Sequence, residues 1–309
     1  MISVVILTKD EKLDLPACLK SLSWCDDVHV LDSGSTDGTI DIALDCGVRV
    51  WSNPFESFGK QRNFALDNLY ILHEWILFLD ADELVTEKFH YAITKATETA
   101  TDNIAGFYCC SKLMYEGKWL KYSDNFPKWQ FRLMRRGRAR FTDFGHGQKE
   151  DHVLGEIKYV REPYLHNGLS KGWFKWIERH NRYSTSEALV RFYNCPPFKN
   201  LFSRHSSIRN PALKSRLTRI PGWPFLRFIH AYFLRFGFLE GPAGFIYCVN
   251  NFYYEFMIQI KFWELKKQTK RLEKNRSPEF SKNISKKLPV KNRDLIIPKY
   301  FSAERKTEW

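Results

Sequence analysis

Trp75-Ile76-Leu77-Phe78-Leu79-Asp80-Ala81-Asp82-Glu83 sets five consecutive apolar residues directly against an acidic cluster. An apolar run without alternation suits a strand buried on both faces of a sheet. Its abrupt end puts the carboxylates where such a strand leaves the core, the edge at which open α/β sheets bind ligands. Residues two apart in a strand point the same way, so Asp80 and Asp82 can address one ligand together. Neighbouring carboxylates repel, and a hard divalent cation, held jointly with substrate phosphates, relieves that repulsion. An acidic pair after a strand is also an ordinary solvated turn, and the motif alone does not separate the two readings.

Upstream, strand and helix patterns alternate. Ile2 to Thr8 is β-branched and aliphatic and reads as a first strand, followed by Leu15, Cys18, Leu19 and Leu22 at helical spacing with Pro16 in the first turn. Val28 to Leu31 reads as a second strand running into Asp32-Ser33-Gly34-Ser35-Thr36-Asp37-Gly38-Thr39, whose small residues allow close backbone approach to a ligand. Val48 to Trp51 is a third strand, and Gly59 to Asn63 opens a helix with Lys60 and Arg62 near its anion-favouring N-terminus. Repeated strand–helix units predict an α/β fold with a mainly parallel sheet.

Charge divides the chain. Residues 1–100 hold 8 Lys and Arg against 17 Asp and Glu, while the remainder holds 40 against 18, so an acidic territory of −9 precedes a basic one of +22. The basic part suits nucleic acid, as in a non-enzymatic nucleic-acid-binding protein, an anionic membrane surface or a phosphorylated substrate, and charge alone does not choose among them. Seven cysteines without a Cys-x-x-Cys pair point to reduced thiols in a cytosolic setting, and the first residues do not read as a secretory signal.

Four segments in order, Val5-Ile6-Leu7-Thr8-Lys9-Asp10-Glu11, Leu31 to Thr39, Gln61-Arg62-Asn63 and Leu79 to Glu83, resemble family 2 inverting glycosyltransferases of the GT-A fold. The resemblance is to the bacterial branch that builds lipopolysaccharide core and other cell-surface glycans. It implies a nucleotide-sugar donor, UDP-linked, with Thr8 and Asp32 at the uridine, Asp80 at the nucleotide and Asp82 on a divalent cation, Mg²⁺ or Mn²⁺. Ser35, Gln61 and Arg62 join the same donor site, and so does Arg132, from the Gln-x-Arg-Leu element Gln130 to Leu133. The branch more often shows Asn where this chain has Asp10.

Gly106 to Ser111 and Gln130 to Met134 read as further strands, and Phe144-Gly145-His146-Gly147-Gln148-Lys149-Glu150 as the loop of the active site. Inverting transfer needs a base for the acceptor hydroxyl. The resemblance implies a His and a Glu in this region, which gives Glu150 as base and His146 as orienting group, with Asp143 as the rival base. Lys171 to Val190 has the spacing of an amphipathic helix, and the resemblance suggests that His180 and Arg182 face the cleft.

The last hundred residues differ in kind. Lys199 to Arg219 reads as a basic arm, and Ile220 to Leu265 is rich in aromatics. Its longest uncharged run, Gly241 to Tyr254, has 14 residues against the roughly 20 that span a bilayer. An interfacial hairpin near Gly237 to Gly241 is expected instead. The organisation predicted is a donor half at 1–105, an acceptor half at 106–194, a helical membrane-interface region at 195–265 and a basic tail at 266–309. The function predicted is metal-dependent transfer to a lipopolysaccharide-core, other glycan or lipid-linked acceptor, by a protein peripheral to the anionic cytoplasmic face of the inner membrane. A polyprenyl-phosphate glycosyltransferase is the alternative enzyme. Nucleic acid is not expected as a partner, because the aromatics are interleaved with aliphatics and not with Lys and Arg.

Overall fold

The computed structural model describes residues 1–144 and 147–274. The chain divides into two compact units, the first made of residues 1–176 and 230–248 and the second of 177–229 together with the chain beyond 248.

In the first unit, β1 (Ile2–Thr8), β2 (Val28–Asp32), β3 (Arg49–Ser52) and β4 (Trp75–Asp80) lie side by side in the order β3-β2-β1-β4, all parallel. They are joined by helices α1 (Leu15–Lys20), α2 (Thr39–Asp45) and α3 (Phe58–Asn68). β1 is buried at every position, which is why it carries no polar alternation. Val4, Ile6, Leu77 and Leu79 face a core completed by Leu15, Leu19 and Phe89. Val5, Leu7, Ile76 and Phe78 face the other, closed by Ala65 and Phe141. The α/β expectation is met.

Beyond β4 antiparallel pairings join the sheet, in which parallel ones remain the more numerous. β5 (Glu83–Leu84) and α4 (Glu87–Glu98) lead to the long strand β6 (Ile104–Tyr115). Glu116 and Gly117, both at positive φ, turn the chain back into β7 (Lys118–Trp119), so β8 (Trp129–Arg135) enters reversed between β4 and β6. β9 (Arg140–Phe144) and β10 (Gly147–Asp151) form a separate hairpin, and β11 (Glu156–Tyr159) and β12 (Tyr164–His166) both pair parallel with β6. Of the sequence 144–150, read as a loop, Phe144 ends β9 and residues 147–150 lie in β10, where Glu150 stands opposite Phe141.

The first unit is completed from far along the chain. After α5 (Gly172–Tyr193), a basic arm was expected, but Ser206–Leu217 forms the helix α6, followed by α7 (Trp223–Ile229). The expected hairpin at 237–241 is one 3-10 turn, Gly237–Glu240, after which α8 (Gly241–Lys274) runs for 34 residues. The buried Glu240 carboxylate accepts from the backbone N–H of Tyr122 at 2.6 Å and of Ser123 at 3.2 Å, and its carbonyl accepts from Lys118 Nζ at 2.6 Å. Tyr247 donates to Asp124 at 2.5 Å. In the second unit, Glu255 accepts from Arg191 at 2.6 Å and from the Trp223 indole at 3.1 Å. No helix among the described residues is long and apolar enough to cross a membrane.

Candidate active site

At the carboxyl ends of β1 and β2, Thr8 donates to Asp32 at 2.9 Å. The other bonds of Asp32 come from the Gly34 and Ser35 backbone, both at 2.7 Å, and from the Ser35 hydroxyl at 2.5 Å. Thr8 and Asp32 are brought together as expected, but the Asp32 side chain is fully buried and shapes the 33–36 loop. Gln61 fastens that loop to α3, donating to Ser33 at 3.2 Å while accepting from Asn53 at 2.7 Å. Asp10 sits at φ +52, a region that Asn tolerates better than most residues, which accounts for the Asn usual there. Its carboxylate accepts from the Thr36 N–H at 2.9 Å.

The end of β4 holds the densest charge. Asp80 accepts from Arg132 at 2.8 Å and from Arg62 at 3.4 Å, and Glu83 accepts from Arg132 at 2.6 Å. Burial alone would raise the Asp80 carboxyl, but Arg132 and Arg62 outweigh it and hold it well below the usual carboxylate range. Burial pushes Glu83 up to about 7, with Arg132 opposing and the Asp80 charge assisting. Arg62 was expected near a helix terminus facing anions. Instead it is fully buried between the rings of Phe78 and Phe141, at 5.7 and 5.9 Å, because α3 turns that face inward. Arg62 Nε and Nη1 and Arg132 Nη1 are buried without a hydrogen-bond partner among the described residues.

Asp82 lies beside a residue that the sequence did not single out. Its Oδ2 is 3.5 Å from His166 Nε2, and its carbonyl accepts from the Asn167 N–H at 2.8 Å. The antiparallel pairing of β12 with β5, which sets His166 opposite Glu83, brings this about. Burial by itself would lower His166, but Asp82, Glu83 and Asp80 overcome it and bring the imidazole up to about 9. A side chain on Gly168 would place its Cβ 2.8 Å from His166 Nε2, so glycine leaves the ring its space. The loop after His166 also clasps the β1–α1 turn: Lys171 is 2.6 Å from Glu11, and Ser170 donates to Asp14 at 2.8 Å. Burial pushes Glu11 up to about 7, only partly offset by Lys171.

No group of three metal-ligating side chains occurs among the described residues. Asp82 and His166 offer one oxygen and one nitrogen in a field that draws positive charge, and they fit a cation completed by substrate oxygens.

The candidate bases lie on the hairpin. Glu150 accepts from the Tyr108 hydroxyl, while Asp143 accepts from the Gly59 N–H at the start of α3 at 3.1 Å. The hairpin is fixed to α3 by paired bonds between Asn63 and the Phe141 backbone, at 2.8 and 3.0 Å. His146 lies outside the described residues. His180 belongs to the second unit, with its ring edge-on to Tyr254 at 5.0 Å. Glu83 stood in the quoted acidic stretch. Tyr108 and His166 carried no local signal and become visible only through the pairing of β6 with its neighbours.

Residues 3–149 match the model of glycosyl transferase family 2, and this part of the chain is a family 2 glycosyltransferase domain. The protein is thus a glycosyltransferase. It is 26% identical to an uncharacterised glycosyltransferase of Rickettsia typhi over 85% of this chain and 87% of the relative. It is 24% identical to the lipopolysaccharide core biosynthesis glycosyltransferase LpsC of Rhizobium meliloti, over 85% and 92%. Among solved structures, the mannosyltransferase PcManGT of Pyrobaculum calidifontis aligns over 85% of this chain and 86% of that one, with 14% identity and a TM-score of 0.48.

Proposed function

We propose that the protein transfers a sugar with inversion from a UDP-linked donor to a lipopolysaccharide-core or other cell-surface glycan acceptor, using a divalent cation. The observation that carries this reading is Asp82 beside His166, next to an Asp80 kept ionised by two buried guanidinium groups. The relationship to LpsC supports the acceptor class. In this reading Thr8, Asp32, Ser35 and Gln61 shape the nucleotide wall. Arg62 and Arg132 hold Asp80 in place, and Asp82 and His166 hold the cation. Once bound, that ion supplies the counter-charge for the departing diphosphate.

Glu150 takes the proton of the acceptor hydroxyl, whose oxygen attacks the anomeric carbon from the face opposite the diphosphate. One carbon–oxygen bond forms as the bond to the diphosphate breaks. Tyr108 orients the Glu150 carboxylate, and Asp143 is the competing candidate for the base.

The same reading makes the protein peripheral to the anionic inner face of the cell membrane. In the first unit Phe233, Leu234, Phe236 and Leu239 are each more than half exposed. An apolar edge of this kind suits the headgroup boundary. Trp223 is bonded to Glu255, and Arg235 to the Phe126 carbonyl at 3.2 Å.

Turnover of UDP-glucose, UDP-galactose and UDP-N-acetylglucosamine with Mn²⁺ tests the chemistry. Asp82→Ala is expected to abolish turnover while the protein stays folded, because the side chain lies beyond the buried strand. Undiminished turnover in Asp82→Ala, or in EDTA-treated wild type, would sink the metal assignment.

A further inference from the structure

A groove of about 460 Å³ opens beside β6 and β8, lined by Cys110, Phe126, Pro127, Trp129, Tyr159 and Arg161. Three features set it apart from a packing defect. Trp129 and Tyr159 remain 37% and 55% exposed, although large aromatics gain by burial. Their rings meet edge to face at 4.9 Å and 78°, so each is fixed with part of its surface left to solvent. The exposed Arg161 stands at the rim of an otherwise mainly apolar lining, where it can pair with an anion.

The groove is also continuous with the proposed base. Tyr159 stacks on Tyr108 at 5.2 Å with 32° between the planes, and the Tyr108 hydroxyl donates to Glu150. A ring seated on Trp129 and Tyr159 is therefore linked to the Glu150 carboxylate through Tyr159 and Tyr108 in turn. The wall is built to keep its shape: the Phe126 ring meets Trp119 at 5.0 Å, and the Phe126 carbonyl accepts from Arg235.

We propose that this groove is the acceptor subsite, and that it takes a pyranose ring bearing a carboxylate or phosphate, stacked on Trp129 and Tyr159 with its acidic group on Arg161. The placement as acceptor rests on the glycosyltransferase reading with Glu150 as base. The carbon-bound hydrogens of a sugar face pack on an aromatic ring, while a guanidinium pairs with an acidic oxygen in two parallel bonds. A neutral sugar offers Arg161 only hydroxyls, which are weaker partners for a guanidinium than an acidic oxygen.

Saturation-transfer NMR on the full chain, with methyl glucoside and methyl glucuronide as probes, tests the groove directly. Both are expected to receive saturation at their ring hydrogens, with the glucuronide binding about tenfold more tightly, as one charge-assisted contact allows. Trp129→Leu should abolish both signals, and Arg161→Gln should bring the glucuronide down to the level of the glucoside. Near-UV circular dichroism checks that each variant is folded, and Tyr159→Leu serves as the second aromatic variant should Trp129→Leu fail to fold. Binding of neither probe, or equal binding by wild type and both aromatic variants, would overturn the proposal. A parallel titration with UDP and Mn²⁺ separates the two readings. Probe binding without UDP binding removes the donor assignment and keeps the groove, whereas UDP binding without probe binding does the reverse.

Discussion

Asp80 shows how a single carboxylate is prepared for work at neutral pH. Two buried cations hold it ionised, while Glu83, three residues on, is driven toward the neutral form by the same crowding. In the proposed mechanism the proton-taking role falls elsewhere, on Glu150 or Asp143. Glu150→Gln keeps the shape and loses the basicity, so steady-state kinetics should show turnover lower by roughly 10²-fold or more with donor KM little changed. Asp143→Asn should have a mild effect, since the carboxamide oxygen can still accept from the Gly59 N–H. The reverse ranking would transfer the base to Asp143. Tyr108→Phe tests positioning: kcat should fall with donor KM and melting temperature little changed, because the base loses the hydroxyl that orients it, whereas a purely structural role would lower the melting temperature instead.

At the scale of elements, the strands β1 to β4 were legible because each carries its own signal, a short segment rich in aliphatic or aromatic residues and closed by polar ones. What escaped depends on pairing between distant strands. His166 ends a three-residue strand that means nothing until β12 lies against β5, and Glu150 acquires its partner only when β10 reaches Tyr108 of β6. Arg62 was misplaced because helical spacing cannot say which face of α3 packs inward. The long β6 is itself held closely against β8. A Cβ on Gly106 would stand 2.5 Å from the Phe131 ring and 2.6 Å from the Leu133 carbonyl, so Gly106→Ala should cost about 1–3 kcal/mol by overpacking, read from urea unfolding.

The opposite end of the sheet predicts acid sensitivity. Buried Asp27 accepts from Ser3 at 2.5 Å, from the Leu72 N–H at 2.9 Å and from His29 Nε2 at 3.0 Å, and it also pairs with Arg49. The Trp51 indole donates to the other His29 nitrogen at 3.1 Å. Burial lowers the His29 pKa against the pull of Asp27, so below about pH 6.5 the unfolded chain takes up a proton that the folded state resists. Burial would raise Asp27, but its hydrogen bonds and His29 outweigh that and lower it. Its contribution is therefore complete above about pH 4 and fades as pH falls further. Melting temperatures should decline from pH 6.5 downward, in two stages. Asp27→Asn should be less stable by about 2–3 kcal/mol at pH 7 and should lack the second stage.

For the molecule as a whole, the proposed function gives the family 2 domain the chemistry and the exposed apolar edge the attachment to the membrane. Vesicle sedimentation checks the second part. Phe233→Ser with Phe236→Ser should release the protein from anionic vesicles, and undiminished sedimentation of the double variant would remove that edge from the attachment. Cutting the chain after Arg219 would be a poor test, because it also removes the 230–248 segment. Glu240 and Tyr247 from that segment satisfy Tyr122, Ser123 and Asp124, and the truncated protein is expected to lose cooperative melting.

That last contact sets an order of events during synthesis. The sheet strands have all left the ribosome by the time residue 176 emerges, yet the backbone N–H groups of Tyr122 and Ser123 wait for a carboxylate still more than sixty residues from emerging. A nascent chain paused before Glu240 carries an open edge where the finished protein has a buried anchor. The enzyme cannot assemble its catalytic unit first and add the helical segment afterwards. Completion of the one is an act of the other, so a premature stop anywhere before residue 240 yields an unfinished fold and not a smaller enzyme.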